Sequence, residues 1–136
     1  MSVETFIDTN VLAYAFDDES PDKRAISQAL IAEANFVTSA QVLGELYVTL
    51  TRKLTTKVPA EIAGQVVQEL GVLTVIATTP ALALSAISTS IQCQLSYWDA
   101  LIVEAAVQGG CQTLLTEDLS DQAIIKGVRI VNPFRL

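Results

Sequence analysis

Four acidic residues, far apart along the chain, occupy positions from which their side chains could reach one crevice. Asp8 and Asp118 each lie just past a short β-prone segment. Asp99 opens a mostly apolar helical segment, and Glu45 lies about two turns into the helix predicted after the second strand. In an open α/β sheet, ligands bind at the carboxyl ends of the strands, where the strand order reverses. We therefore expect the four side chains to converge.

Each acid alone also has an ordinary structural explanation. Asp8 and Asp99 could cap helices, Asp118 could be a turn residue, and Glu45 could be a solvated helix position. Taken together, these explanations weaken, because two carboxylates about 5 Å apart repel by roughly 3 kcal/mol at an effective dielectric constant of about 20. A divalent cation removes this penalty, and an oxygen-only ligand set suits Mg²⁺ or Mn²⁺. The four acids together indicate a metal site.

The composition excludes several other kinds of catalytic site. The chain of 136 residues contains no histidine, which excludes Ser-His triads and His-ligated zinc sites. Its two cysteines, Cys93 and Cys111, neither require a disulfide framework nor match a zinc knuckle, and we predict buried thiols. Acid and base chemistry must then come from carboxylates, hydroxyls or a metal.

The charge of the chain weighs against a nucleic-acid enzyme. Its formal net charge is −7, whereas phosphate contacts normally draw on a basic surface. A cation-binding carboxylate cluster would account for part of the negative charge, and the basic residues Arg52, Lys53 and Lys57 are grouped locally. The negative charge therefore weakens the case for a nucleic-acid enzyme but does not exclude one.

No membrane segment or secretory signal is expected. The stretch from Leu70 to Trp98 has no charged residue, but Pro80 and many Ser, Thr and Gln residues interrupt it. The N-terminus has no basic start followed by an apolar region. We expect one domain, residues 1–136, located in the cytoplasm.

Short apolar strands alternate with helices along the chain. Strands are predicted at Val3–Ile7, Phe36–Thr38, Leu73–Ala77, Thr113–Thr116 and Val128–Val131. Helices are predicted around Val11–Ala15, from a Ser20 cap over Pro21–Glu33, after a Ser39 cap, over Pro59–Leu70, from Thr79-Pro80, and from Asp99 over Ala100–Val107. The alternation implies right-handed crossovers, a parallel sheet covered on both faces, and an α/β three-layer sandwich.

Two of the predicted helices have distinct faces. The helix after Ser39 carries a buried stripe of Leu43, Leu46, Leu50 and Leu54. Another face of that helix holds Glu45, Thr49, Arg52 and Lys53. The helix from Pro80 has one apolar side and one side of mostly Ser, Thr and Gln, the apolar side being Leu84, Ile87, Ile91 and Leu95.

Four ordered segments resemble the acidic motifs of PIN-domain ribonucleases: Asp8-Thr9-Asn10, Gly44-Glu45-Leu46, Leu95-Ser96-Tyr97-Trp98-Asp99-Ala100-Leu101-Ile102 and Leu115-Thr116-Glu117-Asp118-Leu119. The segment from Gly127 to Phe134 is similar to the toxin branch of that family, the VapC-like toxins of type II toxin–antitoxin systems. One departure is that relatives often carry Asp-Gly after the last motif, whereas Gln122 follows Asp121 here. Asp121 is therefore not assigned as a ligand.

The resemblance implies a five-stranded parallel sheet of order 3-2-1-4-5, with Asp8 and Asp118 on adjacent strands. It also implies that Asp8 and Asp99 are the principal ligands of Mg²⁺ or Mn²⁺, with Glu45 and Asp118 completing the pocket. By the same resemblance, the groups that orient these carboxylates are Thr9, Asn10 and Thr116.

The function implied is metal-dependent cleavage of RNA that leaves a 5′-phosphate. The metal would lower the pKa of a bound water and neutralise charge on the scissile phosphate. Arg52 and Lys53 either hold RNA phosphates or form a solvated helix end. The toxin branch further implies a cognate antitoxin protein and a homodimer.

Other functions of similar folds need residues at positions that can be compared with this sequence. A phosphoacceptor receiver module needs an Asp at the end of strand three, where the chain has Ile76 to Thr79. A haloacid-dehalogenase-like phosphatase needs a second acid at position 10, which is Asn10. A non-catalytic PIN fold is disfavoured because all four acids are present. A housekeeping RNA-processing or DNA-directed nuclease of the same fold stays open.

Overall fold

The structure is a computed structural model and describes residues 5–135. Its strands are β1 (Thr5–Ile7), β2 (Val37–Ser39), β3 (Thr74–Ile76), β4 (Thr113–Leu115), β5 (Ile124–Ile125) and β6 (Val128–Val131). Its α-helices are α1 (Thr9–Ala13), α2 (Pro21–Ala32), α3 (Ala40–Val48), α4 (Ala60–Leu70), α5 (Pro80–Cys93) and α6 (Tyr97–Gln108). Val3 and Glu4, which the sequence assigns to the first strand, lie outside the described residues.

The strands form one sheet of order β3-β2-β1-β4-β6-β5. All pairs are parallel except β5 with β6, which is antiparallel. The predicted α/β class is thus confirmed, and the five predicted strands lie in the predicted order. The prediction missed β5, which has two residues and reaches β6 through Lys126 and Gly127, both at positive φ (54° and 82°). A Lys-Gly turn lacks the Asn or Asp that usually marks such a hairpin.

The core lies around β1 and the helices that cover the sheet. Phe6 and Ile7 on β1 are fully buried, as are Leu46 on α3 and Leu50 in the helical turn that follows α3. The predicted stripe of α3 is confirmed, because Leu43 and Leu54 also pack against this core. α6 contacts β2, β4 and β6. Because α6 leads back to the start of the parallel strand β4, its first turn lies at the carboxyl edge of the sheet.

Side-chain caps begin four of the helices, α1, α3, α5 and α6. Ser39 Oγ accepts a hydrogen bond from Val42 N (3.2 Å), and Thr79 Oγ1 accepts one from Leu82 N (3.1 Å), as predicted. Ser20 precedes α2, but its side chain makes no capping hydrogen bond. The prediction that Asp99 begins the last long helix was also wrong, because Ser96 caps α6. The hydroxyl of Ser96 sets the start of the helix two residues before Trp98, and this puts Asp99 in the first turn.

The helix α5 presents three of its large apolar residues to solvent. Leu84, Ile87 and Ile91 are 68%, 48% and 75% exposed, and we call these three residues the α5 stripe. The opposite side packs against α6 and buries Leu82, Ala86 and Thr89. The polar side chain of Thr89 can be buried there because its hydroxyl donates a hydrogen bond to the buried carboxylate of Glu104.

The two thiols differ in environment. Cys111 is buried as predicted, and burial raises its pKa to about 11. Cys93, at the end of α5, is exposed, so that part of the prediction was wrong. Cys93 is exposed because the other side of α5 packs inward, and the sequence does not determine which side does so. None of the helices within residues 5–135 combines the length and apolar character needed to cross a membrane.

Candidate active site

Asp8 lies at the end of β1, the strand between β2 and β4. It caps α1, because Thr9 N donates to Asp8 Oδ1 (2.7 Å). The hydroxyl of Thr116 donates to the other carboxylate oxygen, Oδ2 (2.9 Å). Both oxygens of a side chain only 6% exposed are therefore fixed in direction. The ordinary explanation of Asp8 as a cap is correct, and it does not compete with a site, since the cap orients the carboxylate.

Thr116 ties Asp8 to Asp118. Its side chain is fully buried, and its Oγ1 also accepts a hydrogen bond from Asp118 N (3.1 Å). Since Thr116 follows β4 and Asp8 follows β1, this hydroxyl joins the ends of two adjacent parallel strands. The predicted orienting role of Thr116 is consistent with this geometry.

Glu45 reaches the same place from α3. Its carboxylate accepts hydrogen bonds from Thr9 Oγ1 (3.1 Å) and from Gln41 Nε2 (3.0 Å). Thr9 thus contacts two acids at once, Asp8 through its backbone N–H and Glu45 through its hydroxyl. This contact sets the direction of Glu45 relative to β1.

These groups surround an open cavity of about 830 Å³. The residues that line it come mainly from the end of β1, one face of α3 and the start of α6: Asp8, Thr9, Asn10, Ala40, Gln41, Gly44, Glu45, Val48, Thr49, Lys53, Trp98 and Asp118. Of the two predicted basic residues, Lys53 lines the cavity and Arg52 does not. Both lie in a wider helical turn, Thr49–Lys53, that continues α3.

Asp99 lies beside the cavity and not in its lining. Burial, and next the negative charge of Asp99, raise the pKa of Asp118, so the two carboxylates are close enough to repel. The charge of Glu45 acts on Asp118 in the same direction. The structure therefore brings Asp8, Glu45 and Asp118 to one cavity, with Asp99 near its edge.

The carboxylate of Asp8 is in an unfavourable environment for a negative charge. Burial raises its pKa from 3.8 to about 6, and the charges of Asp118 and Glu45 contribute in the same direction. The hydrogen bonds from Thr9 and Thr116 oppose this rise without cancelling it. Such a carboxylate gains most from a neighbouring cation.

The cavity offers oxygen atoms as ligands. Within residues 5–135, no group of three or more Asp, Glu, His or Cys side chains is arranged to hold a metal ion by itself. Mg²⁺, however, usually keeps several waters and takes only one or two protein carboxylates. Asn10 Oδ1 and Gln41 Oε1 are buried acceptors without a hydrogen-bond partner, and such acceptors are normally paired. The donor set fits a hard, hydrated cation better than an ion enclosed by protein.

Two neighbouring acids have structural partners instead. Asp121 Oδ1 accepts a hydrogen bond from Asn132 N (2.8 Å), which fixes the chain after β6. Glu117 is bound by Tyr14 Oη (2.6 Å) and by Lys23 Nζ. Burial alone would raise the pKa of Glu117, but these two hydrogen bonds outweigh it and hold the pKa below its ordinary value.

Gln41 and Trp98 line the cavity, and neither was predicted from the sequence as a site residue. A signal existed for Gln41, which lies four residues before Glu45 and so on the same face of a helix. Trp98 directly precedes Asp99, but the sequence does not show which way a side chain in the first helical turn points.

Comparisons with known proteins give a consistent result. A family model described as the PIN domain matches residues 5–124, and no curated protein matches the chain significantly. Nine chains of solved structures do match. One is VapC20 of Mycobacterium tuberculosis, a toxin that cleaves the sarcin–ricin loop: it is 22% identical, the match covers 85% of this chain and 92% of that one, and the TM-score is 0.68. Another is FitAB bound to an IR36 DNA fragment, 20% identical over 97% of this chain and 96% of that one, with a TM-score of 0.69.

Proposed function

The chain belongs to the PIN-domain family, and from this premise we propose that it is a divalent-metal-dependent ribonuclease acting as the toxin of a toxin–antitoxin pair. The observation that carries the proposal is the carboxylate of Asp8. It is buried, oriented at both oxygens, and faces Glu45 and Asp118 across an open cavity. Carboxylates whose pKa is raised in this way occur mostly at functional sites.

Asp8 and Asp99 would hold Mg²⁺ or Mn²⁺, with Glu45 and Asp118 acting directly or through water. When bound, the cation activates water and neutralises charge that builds on the scissile phosphate. Thr9 and Thr116 keep the carboxylates of Asp8 and Glu45 in place, so little reorganisation is needed when substrate arrives.

Lys53 is the residue of this chain best placed to hold a phosphate. It lines the cavity, whereas Arg52 on the same turn does not. A lysine contact of this kind positions the RNA backbone without reading its sequence. For Arg52 the solvated helix end is the better explanation.

The proposal is tested with purified chain, a single-stranded RNA, and a DNA of the same sequence. We expect Mg²⁺ or Mn²⁺ to support cleavage of the RNA, with 5′-phosphate on the products, and EDTA to stop it. Preferential cleavage of the DNA would favour the alternative, a DNA-directed nuclease. Cleavage that persists in EDTA would refute the metal dependence.

The proposed partners are a cognate antitoxin protein and a second copy of the chain. The exposed α5 stripe supports association, because large apolar residues at helical spacing commonly mark an interface. The acidic cavity suits a basic antitoxin side chain, which would compete with the metal through charge-assisted hydrogen bonds.

Expression of the chain alone is expected to slow cell growth, and co-expression of the adjacent small reading frame to restore it. The two proteins should also co-purify, because the antitoxin acts by binding. The measurement is growth with and without the partner, on cells that contain soluble, RNA-cleaving protein. Unchanged growth and no bound partner would favour a housekeeping nuclease.

Binding of Mn²⁺ is expected to raise the melting temperature of the wild type, because the cation binds the folded form and relieves repulsion among the carboxylates. The rise should be smaller in Asp8→Asn, which has lost a charged ligand. Thermal unfolding at neutral pH with EDTA or millimolar Mn²⁺ measures both. Identical rises in the two proteins would show that Mn²⁺ binds elsewhere.

A further inference from the structure

Trp98 is the only tryptophan of the chain, and its side chain is 62% exposed. It lies in the first turn of α6 and lines the same cavity as Asp8, Glu45 and Asp118. A single exposed apolar residue needs no explanation. An exposed indole on the wall of an acidic cavity is different, because there it meets whatever the carboxylates bind.

The indole is held in position from one side. Its ring packs edge-to-face against Tyr97, with 4.9 Å between ring centroids and an interplanar angle of 76°. Gln41 Nε2 donates both to the backbone oxygen of Trp98 (3.4 Å) and to Glu45 Oε1 (3.0 Å). Gln41 therefore joins the first turn of α6 to the acid on α3, which fixes the backbone of Trp98 relative to Glu45.

Three chemical functions then meet around one cavity. The carboxylates can hold a cation, Lys53 can contact a phosphate, and Trp98 offers an aromatic surface. Proteins recognise single-stranded nucleic acid by this pairing of backbone contacts with bases stacked on aromatic rings. In a duplex the bases are already stacked on one another and cannot use such a surface.

The net charge of −7 makes stacking more important here than in a basic nuclease. Contacts from cationic residues to phosphates release counterions from the nucleic acid. These contacts weaken as salt rises, because the release is then less favourable. Stacking does not depend on released counterions. A chain with few cationic residues at its site must therefore take more of its affinity from apolar contact.

We infer that Trp98 stacks on an unpaired base of the RNA beside the scissile phosphate, with Gln41 as a positioning residue. This rests on the proposed function and deepens it, since it assigns the residues that would hold an accessible base of the RNA.

Because Trp98 is the only tryptophan, fluorescence excited at a wavelength that tyrosine does not absorb reports on this residue alone. Wild-type protein is titrated with a single-stranded oligoribonucleotide of about eight nucleotides, with Ca²⁺ in place of Mg²⁺. We expect quenching by the single strand and much less by the same sequence as a duplex. Affinity should also fall less steeply with added salt than it would in a basic nuclease that makes several phosphate contacts.

Affinity for the labelled single strand is compared among Trp98→Ala, Trp98→Phe and Val72→Ala. We expect a loss of about tenfold in Trp98→Ala, within the range for one stacked base, and near wild-type affinity in Trp98→Phe, which keeps an aromatic ring. Val72 is 84% exposed and does not line the cavity, so Val72→Ala controls for loss of a surface apolar group. In Mg²⁺, Trp98→Ala should raise KM more than it lowers kcat.

The inference is overturned if Trp98→Ala binds and cleaves RNA as the wild type does and RNA leaves the fluorescence unchanged. Fluorescence that responds to protein concentration, but not to RNA, would show that a second copy of the chain covers Trp98. Either result leaves RNA cleavage by the wild type intact. Loss of the proposed function itself would appear as absence of that cleavage.

Discussion

Replacement of Asp8 by Asn is expected to lower the rate of RNA cleavage by at least about a hundredfold and to leave the fold intact. Residues that merely orient metal ligands already contribute about 10–100-fold, and Asp8 is proposed as a ligand itself. Asn keeps the volume and an oxygen that can accept from Thr9 N–H, and the hydroxyl of Thr116 can accept as well as donate. The charge alone is removed. Asp99→Asn is expected to act in the same direction.

Asp121→Asn is the matched control. Asp121 lies three residues after Asp118, but its carboxylate is bound to Asn132 N and does not line the acidic cavity. Its substitution should leave cleavage unchanged. Circular dichroism on the same samples checks the fold. Full activity in Asp8→Asn would remove the site proposed here, and lost activity in Asp121→Asn would mean that the ligand set extends further.

The metal-free protein is expected to lose stability as the pH rises from about 4 to about 6. The folded pKa of Asp8 is about 6, against 3.8 for the ordinary group. Between these values the folded state binds a proton that the unfolded state releases, so the free energy of unfolding falls with rising pH. A rise in pKa from 3.8 to about 6 corresponds to about 3 kcal/mol, at roughly 1.4 kcal/mol for each tenfold change in proton affinity.

Urea unfolding in EDTA at pH 4 and pH 7 measures this effect as the difference between wild type and Asp8→Asn. The variant should gain on the wild type by up to about 3 kcal/mol between the two pH values, because it cannot ionise. Asp118, whose pKa is also raised, contributes to the slope of both proteins, and the part of its contribution that does not depend on the charge of Asp8 cancels in the difference. An equal difference at both pH values would show that Asp8 is not destabilised by its charge.

The fold was predictable where local signals and tertiary packing agree. Ser39 and Thr79 cap the helices that they were expected to cap, and the apolar periodicity of α3 matches its buried side. The side of α5 that packs inward was not predictable. From the sequence, either the apolar face or the hydroxyl-bearing face of α5 could pack inward. The face that packs inward contains Thr89, whose hydroxyl finds a hydrogen-bond partner in Glu104 of α6. Such a partner exists only in the folded chain.

The candidate site was predictable as a set of acids and less so as a geometry. The spacing of residues after strands places Asp8 and Asp118 correctly at adjacent strand ends. Asp99 was assigned to the start of its helix, because the sequence did not show that Ser96 would cap two residues before Trp98. Gln122 illustrates a related limit. It has a φ of 68° where the family pattern has Gly, so the turn geometry is kept by a residue that does not signal it.

The hydrogen bond between Thr116 and Asp8 joins residues 108 positions apart, and β1 pairs along its length with β4. Ribosomes add about 5–20 residues each second, so Asp8 is made several seconds before the strand that completes its surroundings. Until β4 emerges, β1 lacks one of its two neighbours, and the carboxylate of Asp8 has no Thr116 to orient it. The cleft around Asp8 can therefore be assembled only after the segment that carries β4 and Thr116 has been made.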